Sequence, residues 1–258
     1  MQKKVIGNLK MNLISLSERD VYLDNLKKEF KLSKLEDTEV IVCVPSVHLE
    51  TFSKKLKFKN LSIGVQNIFW EDRGSYTGEI SAPMVKALGG NYVIVGHGER
   101  RKYMSETNDI FNLKIKAALR SELSPIYCIG ESLEERGADL TYKVITDQLK
   151  TGLKDVTASK AEKIIYVYEP VWSAGTDEVP SSDEILEEKL IIKKILSEIF
   201  SAEFANKVAI LYGGSITAKI VEDVCLKPEM DGGLIGRESL NPKDFLKIAQ
   251  IIDKNNLK

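Results

Sequence analysis

The stretch that decides the fold is IIYVYEPVWSAGTDEVPSSDEILEEKLIIKKILSEIF, residues 164–200, in which an apolar run leads through a loop into an amphipathic segment. Ile164–Tyr168 is apolar or aromatic throughout, which is typical of a strand buried on both faces of a parallel sheet. Ser182–Phe200 predicts a helix, because Ser182 can cap it and two acids follow in the first turn, where negative charge favours the helix dipole. Apolar residues then recur at helical spacing: Leu186, Leu190, Ile192, Ile195, Leu196 and Ile199.

This strand–loop–helix unit repeats along the chain without a low-complexity linker. Helical patterns such as Thr107–Arg120 and Pro242–Asp253 lie between short apolar runs. Eight such units in 258 residues predict an α/β fold: a single-domain (β/α)₈ barrel over residues 1–258, with eight parallel strands surrounded by helices. A doubly wound open sheet is the alternative, but neither a G-x-G-x-x-G after the first strand nor a Walker A motif is present. The other candidate strands are Val5–Lys10, Val40–Val44, Ser62–Gln66, Tyr92–Val95, Pro125–Ile129, Val208–Tyr212 and Gly232–Ile235.

Charge and composition exclude several classes of function. The chain has 37 basic and 38 acidic residues, so we expect neither nucleic acid nor an anionic membrane as a partner. No apolar run approaches membrane-spanning length, and the N-terminus lacks the apolar core of a secretory signal, so we expect a cytoplasmic protein. Cys43, Cys128 and Cys225 are odd in number and show no CxxC spacing, which argues against a disulfide framework and a zinc site. Cys43 and Cys128 lie in apolar strand-like runs, which favours buried thiols.

Polar residues gather where the candidate strands end. In a (β/α)₈ barrel, catalytic groups come from the C-terminal ends of strands and the loops after them. These positions carry Asn8, Lys10, His97, Glu99 and Glu169. Strands 7 and 8 end in the glycine-rich turns YGGSI and GGLIGRES. Such turns commonly hold phosphate, because glycines let backbone N–H groups approach an anion. The sequence therefore predicts an amine, an imidazole and a carboxylate on one rim beside an anion site.

Each of these side chains also has a purely structural interpretation. Glu169 could be a loop acid in a salt bridge, Lys10 could be a solvated surface group, and a lone histidine is usually structural. His48, in PSVHLE, lacks a comparable setting, and we assign it a structural role.

Six motifs, in order and at compatible spacing, resemble the triosephosphate isomerase family: GNLKMN, VGHGERR, CIGES, YEPVWSAGT, YGGSI and DGGLIG. The resemblance covers essentially the whole chain. It implies a TIM barrel that interconverts dihydroxyacetone phosphate and D-glyceraldehyde 3-phosphate through an enediolate, in glycolysis and gluconeogenesis, without cofactor or metal. The segment QNIFWEDRGSYTGEIS resembles the dimer-forming loop of that family. It implies a homodimer through Asn67–Gly78, with Thr77 inserted into the other subunit.

The resemblance also implies roles for individual residues. Glu169 would be the base that takes the proton from carbon, and His97 would be the neutral electrophile, kept so by backbone donors at the start of the next helix. Lys10 would face the substrate oxygens and phosphate, Asn8 would orient the carbonyl and position Lys10, and Glu99 would pair with a lysine or with the partner's loop. Contacts with the phosphate group are implied for Gly175, Ser215 and Gly236. The segment after Glu169 would be a lid that closes over the phosphate.

Five positions depart from the family pattern. Leu9 stands where tryptophan is usual, which we expect to change packing, and Gly98 replaces a serine that helps to hold the base. Asp177 and Pro180 alter the lid, and we expect slower or weaker closure. Arg237 replaces a frequent glycine and either adds a cation or shrinks the pocket.

Two other functions stay open at this point. The altered lid and Arg237 are compatible with an isomerase for a longer phosphosugar, such as a tetrulose phosphate. A catalytically silent phosphate-binding barrel would be expected to lack Lys10, His97 or Glu169, and all three are present.

Overall fold

Eight parallel strands close into a barrel in sequence order in the computed structural model, which describes residues 2–173 and 178–256. Each strand pairs with its neighbours in the chain, and β1 also pairs with β8, so the sheet closes on itself. The strands are β1 Lys3–Asn8, β2 Thr38–Val44, β3 Leu61–Val65, β4 Tyr92–Val95, β5 Ser124–Ile129, β6 Ile165–Tyr168, β7 Ile210–Gly214 and β8 Gly232–Ile235.

Helices connect consecutive strands across the outside of the barrel. They are α1 Leu16–Ser33, α2 Leu49–Lys55, α3 Ala82–Ala87, α4 Gly98–Met104, α5 Asn108–Arg120, α6 Leu133–Gly137, α7 Thr141–Gly152, α8 Ala158–Ala161, α9 Ser182–Ile199, α10 Ala202–Lys207 and α11 Pro242–Asn256. Short 3₁₀ turns at Ser46–His48 and Arg237–Leu240 and a π turn at Glu222–Leu226 complete the connections. Among the described residues, no helix is long and apolar enough to cross a membrane.

The strands are apolar throughout because both of their faces are buried. In β2, Ile41 and Cys43 point into the barrel interior, whereas Val40, Val42 and Val44 pack against the surrounding helices. A period of two residues separates these two sets, as expected for a strand. All three cysteines are buried free thiols, as the sequence predicted for Cys43 and Cys128.

Closure of the barrel depends on a glycine in β8. Gly232 pairs with Lys4 and has a φ of +142°, a conformation that other residues rarely adopt. A Cβ atom at this position would lie 1.8 Å from the carbonyl oxygen of Lys4. Any larger side chain would therefore push β8 away from β1.

A polar network fills the N-terminal end of the barrel. The Glu39 carboxylate accepts hydrogen bonds from Lys4 Nζ at 2.7 Å, Ser62 Oγ at 2.8 Å and Tyr92 OH at 2.8 Å. Burial alone would raise the pKa of Glu39, but the ammonium of Lys4 and the two hydroxyl donors outweigh it and lower the pKa. This network links the first four strands at the end of the barrel away from the strand C-termini.

All eight predicted strands are present, and their ends differ from the prediction by up to two residues. The sequence extended the first strand to Lys10, but β1 ends at Asn8. The seventh strand was placed at Val208–Tyr212, whereas β7 is Ile210–Gly214. The shifts arise because polar residues and glycines also belong to the ladder: Lys3 and Lys4 pair with β2, and Gly213 and Gly214 pair with β8.

The predicted helices are also present, with corrections at their ends and faces. Ser181, not Ser182, caps α9, and it forms a capping box with Glu184. Leu190 was assigned to the packed face but is 58% exposed, because the buried stripe instead runs through Ile185, Lys189 and Ile192. Thr107 caps α5 through Ile110 N, and Pro242 begins α11 as predicted.

We predict that Glu39→Gln lowers the free energy of unfolding by about 2 kcal/mol at pH 7, because a charged acceptor of three hydrogen bonds is lost. A carboxyl with a lowered folded pKa stabilises above its unfolded pKa, and that stability is lost as pH falls through the folded pKa. The deficit should therefore shrink below about pH 4. Urea unfolding at several pH values measures it, with Glu198→Gln on the exposed face of α9 as the control. An equal deficit at all pH values would contradict the role of the charge.

Candidate active site

A cavity of about 290 Å³ opens at the C-terminal mouth of the barrel. Its lining brings together residues that lie up to 232 positions apart in the chain, at and beyond the ends of β1, β4, β6, β7 and β8. The sequence-predicted site residues in this lining are Asn8, Lys10, His97, Glu169, Ser215 and Gly236, and Arg237 joins them. Gly175 lies outside the described residues. Glu99 reaches the site through Lys10, and Thr77 is exposed on a separate loop.

Glu169 follows β6 directly and is held by two donors. Its Oε2 accepts the backbone N–H of Gly98 at 3.0 Å, and its Oε1 lies 3.0 Å from Nε2 of His97. Both side chains are buried, with residue exposures of 4% for Glu169 and 6% for His97. The carboxylate is therefore enclosed beside the imidazole, in a setting from which water is largely excluded.

The hydrogen bonds of His97 fix its tautomer. His97 caps α4, and its Nδ1 accepts the backbone N–H of Glu99 at 3.2 Å. A nitrogen that accepts this bond carries no proton, so the proton of the neutral ring lies on Nε2 and points to Glu169. The imidazole thus presents a neutral N–H donor to the cavity.

Lys10 lies two residues beyond the end of β1 in a left-handed conformation with φ 51°. This conformation is uncommon for a residue with a side chain and persists only where the surroundings hold it. Here the Asn8 side chain accepts the backbone N–H of Lys10 at 3.0 Å, and Gln66 donates to its carbonyl at 3.0 Å. The two flanking side chains therefore aim the lysine into the cavity.

The ammonium of Lys10 lies between an acid and the last glycine turn. It is 2.6 Å from Oε1 of Glu99, in an ion pair whose side chains are 33% and 46% exposed. A Cβ built on Gly236 would lie 3.8 Å from Lys10 Nζ, so the ammonium borders the turn after β8. Exposed ion pairs contribute little stability, so an incoming anion can replace Glu99 at small cost.

Two serines connect the turns after β7 and β8 to other parts of the barrel mouth through hydrogen bonds. Ser215, after β7, donates to the carbonyl of Ser173 at 3.3 Å, at the beginning of the segment that follows Glu169. Ser239, buried in the turn after β8, donates to the carbonyls of Gly236 and Asn8 at 2.6 and 3.1 Å. The side of the cavity formed by the glycine-rich turns is thereby linked to both the first strand and the segment that follows Glu169.

Glu131 lies in the motif CIGES, but its role was not predicted from the sequence. Glu131 is fully buried after β5, accepts Trp172 Nε1–H at 2.9 Å and lies 3.3 Å from Tyr168 OH. Its carbonyl also accepts the N–H of Val171 at 3.0 Å. The signal that could have revealed it is an acid just beyond an apolar strand, separated from β5 by Gly130 alone.

The predicted lid is described only at its two ends. Ser173 Oγ donates to the carbonyl of Glu178 at 2.8 Å, which joins the ends, and Pro180 is buried next to the N-cap of α9. Asp177, at the expected tip, lies outside the described residues, as Gly175 does. His48 lies away from the cavity, with its Nε2 2.8 Å from the carbonyl of Leu13, in agreement with a structural role.

Comparison with known proteins gives consistent results. The family model for triosephosphate isomerase matches residues 3–252. The triosephosphate isomerase of Dictyoglomus turgidum is 43% identical over 253 residues, covering 97% of this chain and 100% of the relative. That of Alkaliphilus oremlandii is 40% identical over 249 residues, covering 96% and 99%. The crystal structure of triosephosphate isomerase from Bartonella henselae superposes with a TM-score of 0.85 at 34% identity, covering 97% of this chain and 99% of that one.

Gly98 packs against Val171, close to Glu169, and a substitution at this position tests whether this packing positions the Glu169 carboxylate. A Cβ at this position would lie 3.3 Å from Cγ1 of Val171, so Gly98→Ala must displace the segment that follows Glu169 by a few tenths of an ångström. Because a 1 Å misplacement can cost about 100-fold, we predict a fall in kcat/KM of about two- to tenfold. Gly137→Ala is the control, because its Cβ would meet nothing within 4 Å. Unchanged kinetics in both variants would show that Val171 accommodates the methyl group.

Proposed function

The chain belongs to the triosephosphate isomerase family, and from that premise we propose that Lys10, His97 and Glu169 perform the isomerisation in the cavity at the barrel mouth. The enzyme interconverts dihydroxyacetone phosphate and D-glyceraldehyde 3-phosphate in glycolysis and gluconeogenesis. The matched relatives give no support to the alternatives of a tetrulose phosphate isomerase or a silent phosphate-binding barrel. The observation that carries the assignment of residues is the 3.0 Å contact between His97 Nε2 and Glu169 inside the cavity that Lys10 also lines.

The chemical difficulty is the removal of a proton from carbon near neutral pH. Glu169 takes this proton and returns it to the neighbouring carbon, and the hydroxyl proton of the substrate passes to the former carbonyl oxygen. The N–H of His97 donates a hydrogen bond to these two oxygens while negative charge develops on them. The pairing of a carboxylate base with a neutral imidazole is already known for this family. The neutral Nε2–H tautomer and the enclosure of Glu169 in this chain support the same division of roles.

Lys10 and Asn8 supply the charge and the orientation. As substrate enters, the ammonium exchanges Glu99 for substrate oxygens, which accumulate negative charge in the enediolate. Asn8 holds the backbone of Lys10 in its left-handed conformation, which supports its proposed orienting role. Proton transfer and charge stabilisation in this scheme are carried out by side chains.

The phosphate group is proposed to bind at the turns after β7 and β8. Ser215 and Gly236 line that side of the cavity. Gly175 is proposed from the sequence resemblance alone. Binding energy from the phosphate, which does not react, can then be used at the reacting carbon.

We also propose a homodimer formed through the loop Asn67–Gly78. Thr77 is exposed at the end of this loop, whose Phe69 ring stacks on Trp70 and contacts Tyr76. Met11 and Ile14 are 93% and 87% exposed next to the catalytic lysine in the sequence. Large apolar side chains exposed to this degree are typical of a protein–protein interface.

Two broader expectations belong with this proposal. A single domain over residues 1–258 is supported by the strands from Lys3 to Ile235, which all enter one barrel. A cytoplasmic location is proposed from the glycolytic reaction.

Glu169→Asp tests the assignment of the base. The substitution withdraws the carboxylate by about one methylene, so we predict a loss of kcat on the order of 100-fold with intact folding. A coupled assay with D-glyceraldehyde 3-phosphate measures it, with Glu198→Asp on the surface of α9 as the matched control. Turnover that survives Glu169→Ala at the wild-type rate would show that the base lies elsewhere.

Thr77→Arg tests the dimer. A charged side chain placed in a complementary pocket would separate the subunits, so we predict that the mass measured by sedimentation is halved. We also predict a loss of activity on the order of tenfold or more, because the residues around Lys10 lose the support of the partner's loop. Ser159→Arg, on an exposed position of α8, is the control. A dimeric Thr77→Arg protein would contradict the proposed interface.

A further inference from the structure

Carboxylates outnumber the cation at the base of the lid. Arg136 forms an ion pair with Glu184, and its Nη1 lies 3.8 Å from Oε1 of Glu131. The same guanidinium covers the ring of Trp172, with its Cζ 4.7 Å from the ring centroid. Glu131, in turn, accepts the indole N–H of Trp172. One arginine therefore balances two acids while it holds the tryptophan at the beginning of the lid.

Glu188 adds a third carboxylate to this cluster, because it lies four residues after Glu184 on α9, on the side of the helix that pairs with Arg136. The residue is half-buried, and its Oε2 is buried without a hydrogen-bond partner among the described residues. The charged and titratable groups around it are Glu131 after β5, Arg136 on α6, Tyr168 on β6, and Glu184 and Glu187 on its own helix. Burial, then the negative charge of Glu131, raises the pKa of Glu188 to about 7, against the opposing effect of Arg136.

We propose that Glu188 is a positioning residue whose protonation state sets how firmly Glu131 and Arg136 hold Trp172 at the base of the lid. When Glu188 is protonated, it carries no charge, and Arg136 remains with Glu131, Glu184 and the indole ring. When Glu188 is ionised, it repels Glu131 and competes for Arg136, and the burial of Glu131 and of Glu188 Oε2 limits the screening of these interactions by water. The anchoring of Trp172 is then weakened.

The arrangement connects this cluster to the catalytic base. Trp172 lies three residues after Glu169, and Val171 between them donates its N–H to the carbonyl of Glu131. A looser hold on Trp172 therefore reaches the segment that positions the carboxylate. This consequence for the reaction rests on the proposed roles of Glu169 and the lid, whereas the effect on Trp172 itself does not.

Fluorescence of Trp172 tests the inference without turnover. The chain has two tryptophans, so a Trp70→Phe background leaves Trp172 as the single reporter. In that background we expect the emission to change with pH through a transition near pH 7. The transition should disappear in Glu188→Gln and persist in Glu187→Gln, the matched control on the exposed side of the same helix. A flat profile in the Trp70→Phe protein, or an unchanged transition in Glu188→Gln, would overturn the proposal.

A second variant covers the case in which Glu188→Gln fails to fold. Glu188→Leu replaces a half-buried acid by an apolar side chain, a kind of change that is often neutral or stabilising, and it should remove the same transition. A raised folded pKa means that ionisation of Glu188 costs stability above its unfolded pKa, fully so above about pH 7. Both variants should therefore gain stability relative to wild type as pH rises, and a constant difference would contradict the inference.

Kinetics distinguish this inference from the proposed function. The ratio of kcat/KM between Glu188→Gln and wild type should change about two- to fivefold as pH passes through about 7. A 1 Å displacement of the base can lower the rate by about 100-fold, and we expect a smaller displacement to lower it less. A purely structural residue would change the rate by one factor at every pH. If Glu169→Asp leaves turnover intact while the Trp172 transition still depends on Glu188, the catalytic assignment fails and the positioning role stands.

Discussion

The site depends on the hydrogen bonding between β1 and β8, which closes the sheet. Without that pairing, Lys10 and Gly236 would lie at opposite edges of an open sheet, whereas in the barrel the ammonium of Lys10 borders the turn at Gly236. Closure is possible because Gly232 lets β8 approach the carbonyl of Lys4. Parallel strands then direct all their C-terminal ends to the same mouth, so one cavity collects side chains from β1, β4, β6, β7 and β8.

Within that mouth, the side chains that we propose as catalytic are held in place by backbone atoms. The helix that begins after His97 fixes the ring through the N–H of Glu99, and the N–H of Gly98 holds Glu169. Both donors fix the orientation of the side chain they contact, so the carboxylate and the imidazole are positioned before substrate binds. The departure of Gly98 from the family's serine therefore removes a hydroxyl but keeps the backbone contact with the base.

In the segment that follows Glu169, the structure depends on charged side chains that compensate one another. Glu131 is fully buried, and Arg136 and the indole of Trp172 compensate its charge. Charges held this closely are sensitive to any further charge, so Glu188 acts on the lid without touching the cavity lining. Trp172 is thus held by an indole hydrogen bond to Glu131 and by the guanidinium of Arg136.

The sequence alone determined the strand–helix repeat, the barrel and the rim residues, because burial on both faces makes each strand apolar and the polar residues at its end are conspicuous. The resemblance of six motifs supplied the family. The sequence did not determine the end of β1, the cap of α9 or the place of Glu131, since these depend on which backbone groups find partners in the folded chain. Only the tertiary structure decided that Glu131, Arg136 and Glu188 share one charge cluster. Their positions along the chain do not indicate that the three side chains lie close together. Electrostatic coupling follows distance in space and exclusion of water, and neither can be read from spacing along the chain.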